Sequence, residues 1–147
     1  MTRYITIIAL SVVYLTASPM PVYEGSPIYR HLLFHAFHSN IFHLAGNLIC
    51  VYLLRNARWV EAYVVATLCS FAITEPTVGL SGVIFASIGI CYGHLAEYGK
   101  MARCLAYTFV IGLLPGVSMV YHIISLLTGF AYGWSIGSIR IYNNRPS

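Results

Sequence analysis

The chain has 147 residues, of which 59% are hydrophobic and only 8% charged, and its formal net charge is +4. Soluble domains carry about 25% charged residues, so this composition argues against an ordinary soluble domain. The positive balance does not argue for nucleic acid, because the basic residues lie at the ends of apolar segments and read as orientation signals there.

The first apolar segment, Tyr4 to Ala17, follows Arg3 and ends in Thr16-Ala17-Ser18. A cleaved signal peptide has the same outline. A retained helix is the preferred reading, because its removal would leave five spans and put the termini on opposite sides. Further on, residues 63–74, 78–95 and 105–137 carry no charge at all. The last of these is about 33 residues, too long for one crossing and right for two joined by a tight turn. Backbone groups in hydrocarbon must pair within their own segment, which makes these runs helices. The expected spans are about 4–18, 37–54, 58–75, 80–98, 102–115 and 117–138. The fold expectation is therefore all-α: a polytopic membrane protein with six transmembrane helices, in one domain covering residues 1–147.

The connections are of two kinds. The first is long, from Ser18 to about Ala36, and holds Pro19, Pro21, Gly25 and Pro27. The others, near Asn56, Glu75-Pro76, Gly99-Lys100 and Pro115-Gly116, hold helix breakers or polar residues. With the N-terminus inside, Arg3, Arg55, Arg58, Lys100, Arg103, Arg140 and Arg145 fall on the inner side and only Arg30 on the outer. That bias implies both termini cytoplasmic. The expected location is multi-pass, in a prokaryotic inner membrane, with membrane lipid as a partner and no nucleic acid. Cys50, Cys69, Cys91 and Cys104 lie in or beside apolar segments without close spacing, and read as small buried side chains.

Polar groups inside such segments are costly unless used or satisfied. Ser81 lies 19 residues before Lys100, and His122 lies 18 before Arg140. At ~1.5 Å per residue both sit roughly 27–29 Å from the inner boundary, at one level near the outer side. Serine needs a base to become a nucleophile, and neutral His122 is the candidate. None of Glu24, Glu61, Glu75 and Glu97 is well placed to orient it, which favours a dyad over a triad. Gly79 and Gly82 flank the serine, where glycine allows a tight turn and close backbone approach. His43 and Asn47 share a helix face four residues apart and can both donate to an oxyanion. Phe85 lies one turn after Ser81, placed to pack on the histidine ring. Gly129, Gly133 and Gly137 repeat every four residues, a pattern for close helix contact. His35, His38 and His43 form a loose cluster, but no His-Glu-x-x-His or embedded carboxylate completes a metal site. No metal or cofactor is expected.

On these residues the chain resembles the rhomboid family of intramembrane serine proteases, over roughly residues 29–133. His38, His43 and Asn47 resemble the family's His-x4-His-x3-Asn, Gly79-Leu80-Ser81-Gly82 its Gly-x-Ser-Gly, and His122 with Gly129 its last core helix. The resemblance implies a rhomboid-like six-helix bundle. It also implies Ser81 as nucleophile, His122 as base, His43 and Asn47 with the Ser81 amide at the oxyanion, and Gly129 as a packing glycine. Phe85 stands where the family often has tyrosine, Ser125 where it often has glycine, and Tyr29-Arg30 where it often has Trp-Arg. The functional expectation is an intramembrane serine endopeptidase, a hydrolase cutting transmembrane protein substrates near the outer membrane face. The alternatives are a non-catalytic membrane module that binds or retains transmembrane helices and, more remotely, a small transporter or channel.

Overall fold

Helices supply every regular element among the described residues, apart from one isolated antiparallel bridge between Val22 and Thr77. The structure is a computed structural model; it describes residues 2–54, 57–114 and 116–143, and side chains only within 4–138 of these. In chain order the elements are α1 (Thr2–Thr16), α2 (Ile28–Leu33), a 3-10 turn (Phe34–Ala36), α3 (Ile41–Leu53), α4 (Trp59–Ser70), α5 (Ser81–His94), α6 (Tyr98–Gly112) and α7 (Met119–Asn143). Arg55, Asn56, Pro115 and Arg145 lie outside the described residues, as do the side chains of Arg3 and Arg140.

Each of the six apolar segments contains one helix, yet α1, α3, α4, α5 and α6 run only 12 to 15 residues. At ~1.5 Å per residue they are roughly 18–22 Å long, short of a ~30 Å hydrocarbon core. Among the described residues only Met119–Ser138, within α7, is both long and apolar enough to cross a membrane. The expectation of a polytopic protein with six transmembrane helices is thus corrected to one helix of crossing length. The rhomboid-like bundle, both termini cytoplasmic, and a multi-pass inner-membrane location all depend on six crossings and are corrected with it. The physical reason is that apolar runs extend past the helices inside them. Phe37, inside the second expected span, is extended, and α3 starts only after its cap at Asn40. α4 stops at Phe71, and Leu80 caps α5.

The first connection is not plain loop. It contains α2 and the 3-10 turn, and it is tied to the α4–α5 connection by backbone bonds in both directions between Val22 and Thr77 (2.8 and 2.9 Å) and from Glu24 N to Ile73 O (2.7 Å). Val22, Phe34, Ile73, Val83 and Tyr121 belong to the core that results.

α5 and α7 are the most closely packed pair. A Cβ on Gly129 would run into the Ala86 carbonyl and one on Gly133 into the Ile90 carbonyl, while Gly89 and Gly93 face the Leu126 and Phe130 carbonyls in return. Small residues on both sides let the two backbones touch, and this closeness sets where the start of α7 meets the start of α5. α5 itself ends in a Schellman arrangement: Glu97 N bonds Tyr92 O, Ala96 N bonds Gly93 O, and Ala96 sits at φ 53°. Large apolar residues remain exposed on several helices, including Ile8 and Leu15 of α1, Phe42 of α3, Leu68 of α4 and Tyr107 and Val110 of α6.

Candidate serine–histidine site

Ser81 is the first residue of α5 and is half-buried. Leu80, in the cap position, gives the helix no side-chain cap. The first amides of α5, starting with that of Ser81, therefore have no partner within the helix. His122 lies in the first turn of α7 and is buried. Its Nε2 stands 2.7 Å from Ser81 Oγ, a hydrogen bond across 41 residues of sequence. When Nδ1 carries the imidazole proton, the serine hydroxyl donates to Nε2. Nδ1 is buried and has no hydrogen-bond partner among the described residues. No carboxylate orients it: Glu24 and Glu75 are exposed, Glu61 pairs with Arg58 and Glu97 with Lys100. The ring is held instead by Phe85, which stacks on it at 4.6 Å between centroids and 26° between planes. Phe85 can do this because it lies one turn beyond Ser81 on the same face of α5.

The segment before Ser81 is shaped by Gly79. Its φ of 116° is a conformation that side-chain-bearing residues avoid, and its amide donates to Phe34 O at 3.1 Å. A Cβ there would stand 2.5 Å from His43 Cε1, 2.6 Å from His43 Nε2 and 3.5 Å from Asn47 Nδ2. Glycine thus lets two side chains of α3 reach the backbone just before Ser81. Asn40 caps α3 by accepting from His43 N at 2.9 Å, which fixes the start of the helix and so the direction of both side chains. His43 Nδ1 lies 3.2 Å from Ser39 Oγ. Asn47 is buried and donates from Nδ2 to His38 Nε2 at 2.9 Å, leaving its second N–H free to point elsewhere. His38 is buried and stays neutral: burial, with repulsion from His43, lowers its pKa to about 4. Neutral His38 is what lets its Nε2 accept from Asn47.

The structure therefore brings Ser81, His122 and Phe85 together, and brings His43 and Asn47 against Gly79. Gly82 makes room for the ring of Tyr121, whose hydroxyl donates to Ala66 O at 3.2 Å. Gly129 lies farther along, at the α5–α7 contact.

A second serine–histidine pair between helices is not read from the sequence. His31 Nδ1 lies 2.7 Å from Ser70 Oγ, Phe71 stacks on the His31 ring at 3.8 Å, and His35 Nε2 lies 3.1 Å from Thr67 Oγ1. A signal was present. His31 and His35 are four apart, Thr67 and Ser70 three apart, so two imidazoles and two hydroxyls each share a helix face. Among the described residues no group of three His, Cys, Asp or Glu is arranged to hold a metal ion.

The intramembrane serine endopeptidase expectation is corrected together with the fold. That assignment needs six crossings to hold the site within the bilayer and to admit a membrane-spanning substrate, and among the described residues only α7 has the length. The serine-protease and intramembrane-proteolysis readings, and the alternative of a module retaining transmembrane helices, depend on the same architecture and are set aside with it. No family model matches the chain and no curated protein matches it, so the resemblance to the rhomboid family is not carried further.

Proposed function

We propose that Ser81 and His122 form a nucleophile–base pair that accepts an acyl group from an ester donor bearing an apolar chain, met at a lipid surface. The observation that carries this reading is the 2.7 Å contact between Ser81 Oγ and His122 Nε2. Ser81 has no competing acceptor among the described residues. In the first step Oγ attacks the ester carbonyl as its proton passes to Nε2. Negative charge then develops on the carbonyl oxygen, and the uncapped amides at the start of α5 are the donors closest in sequence. His43 Nε2 and the free N–H of Asn47 are the side-chain donors for the same oxygen. Collapse of the intermediate expels the alkoxide, which takes the proton from His122 and leaves Ser81 acylated. Water, deprotonated by His122, then releases the acid and restores the serine. Phe85 keeps the imidazole in line in the absence of an orienting carboxylate. The exposed apolar residues beside the site, Ile41 and Phe42 before His43 and Val120 before His122, favour a donor whose acyl part is a hydrocarbon chain.

The test is covalent. The full-length protein, purified in a mild non-ionic detergent, is treated with an alkyl fluorophosphonate, and the adduct is located by peptide mass spectrometry. A single adduct on Ser81, with release of acid from 4-nitrophenyl esters that rises with acyl length, supports the reading. An adduct that persists in Ser81→Ala, or that maps to another serine, ends it.

A further inference from the structure

A groove of about 380 Å³ runs between the C-terminal half of α5 and the connection from α3 to α4. It shares no residue with the Ser81 site. From α5 it is lined by Ser87, Ile90, Cys91, His94 and Leu95, whose spacing of three, four, seven and eight places them on one helix face. Leu53, Leu54 and Arg58 are among the residues opposite. The lining is mostly apolar, but it carries two polar atoms that bond nothing among the described residues: Ser87 Oγ, on a residue 2% exposed, and the buried Nδ1 of His94. Several buried polar atoms among the described residues lack a partner, and Ser87 Oγ and His94 Nδ1 are the two whose residues line this groove, where a ligand can supply one. They lie seven residues apart, roughly 10 Å along the helix. A ligand satisfying both must be polar at one end and carry a second hydrogen-bonding group about that far along.

The charge of the first end is set by its neighbours. His94 lies in the last turn of α5 and Arg58 opposite it caps α4, which begins without a side-chain cap. An uncapped helix start adds positive potential to the guanidinium. Arg58 pairs with Glu61 at 2.8 Å but is exposed, and an exposed pair of this kind contributes little and yields readily.

We propose that this groove binds a single-chain anionic glycerolipid of the lysophosphatidate type. Its phosphate meets Arg58 and His94, its glycerol ester carbonyl accepts from Ser87 Oγ, and its alkyl chain lies against Leu53, Leu54 and Ile90. The site stands whether or not Ser81 is a nucleophile.

Cys91 provides a native reporter, because it is exposed and lines the groove. Its rate of alkylation by a maleimide is followed by mass spectrometry in the full-length protein, with Cys104 of α6 as the internal reference. Lauroyl lysophosphatidate, below its micellar concentration, slows Cys91 by about tenfold, while monolauroylglycerol at the same concentration has less than about a twofold effect. Dodecyl phosphate, which has the charge but no ester, falls between them. Arg58→Gln removes the advantage of the anionic lipid over the neutral one. Ser87→Ala brings lysophosphatidate down to the level of dodecyl phosphate. Neither change threatens the fold: Arg58 is exposed, and Ser87→Ala removes a hydroxyl that bonds nothing among the described residues. Equal protection by neutral and anionic lipids, or protection that both variants leave intact, overturns the proposal.

Discussion

Among the described residues two serine–histidine pairs join different helices, and they differ in where the serine proton goes. Both join residues about forty apart, at 2.7 Å, and both have a phenylalanine stacked on the imidazole. At Ser70 the hydroxyl donates to Thr67 O at 2.6 Å, so His31 must donate into Oγ and cannot act as its base. That pair is fully buried and fastens α2 to α4. At Ser81 no carbonyl competes among the described residues, the residue opens a helix rather than closing one, and it is half-buried. Proximity of serine to histidine is thus not enough for nucleophilic chemistry. The histidine must be the hydroxyl's only acceptor, and a reactant must be able to reach the oxygen.

The largest expected effect separates the pairs at once. Ser81→Ala abolishes fluorophosphonate labelling, a loss of at least about 10³-fold, whereas Ser70→Ala labels at the rate of the unmodified protein. Ser70→Ala registers in thermal unfolding instead: His31 Nδ1 loses its partner inside the protein, at a cost of about 1–3 kcal/mol. If the two alanine variants label equally, the contrast drawn from Thr67 is wrong.

The histidines sharpen the same contrast. His122→Ala slows labelling by about 10²–10⁴-fold, the usual worth of a positioned base. His31→Ala leaves the rate within about twofold per folded molecule and lowers the melting temperature. A smaller effect belongs to Gly79. Alanine there meets both an unfavourable φ and the His43 ring, costing about 1–3 kcal/mol of stability. Because His43 must move, labelling falls by about tenfold, one donor's share or less of an oxyanion site. Retained labelling with unchanged stability in Gly79→Ala would remove His43 from the site.

The sequence shows the Ser81 pair more clearly than its surroundings. Six apolar runs locate six helices, because burying or sheltering that many apolar residues leaves the backbone little choice but to pair internally. Helix length is not legible in the same way. Leu54, Phe71 and Leu80 are as apolar as the helices they bound, and only backbone geometry shows that they are caps. The six-crossing expectation fails at this point. α2 and the 3-10 turn are hidden for a related reason: the prolines at 19, 21 and 27 announce loop, and nothing local reveals that the bridge from Val22 to Thr77 holds that loop against the core. His31 and Ser70 escape notice because their pairing depends on that docking. Gly129 and Gly133, in contrast, are legible from spacing alone, since a four-residue glycine repeat has one geometric use.

The last expected effect is on stability alone; it comes from acid and reaches the scaffold of both pairs. Burial lowers His35, beside Thr67, to a pKa of about 3 and, with repulsion from His43, lowers His38, beside Asn47, to about 4. In the unfolded chain both titrate near the usual value of 6.5. Above pH 6.5 both are neutral in either state and their contribution to stability is fully present. As the pH falls from 6.5, the unfolded chain takes up protons that the folded chain refuses, so stability declines. The decline due to His38 ends near pH 4 and that due to His35 near pH 3. Melting temperature followed from pH 7 to pH 3 should fall throughout this window. His38→Gln, whose amide oxygen can still accept from Asn47, removes the His38 share and makes the curve shallower above pH 4. A melting temperature that rises on acidification, or a slope that His38→Gln leaves unchanged, would mean that His38 is not held neutral, and Asn47 would lose the acceptor that positions it.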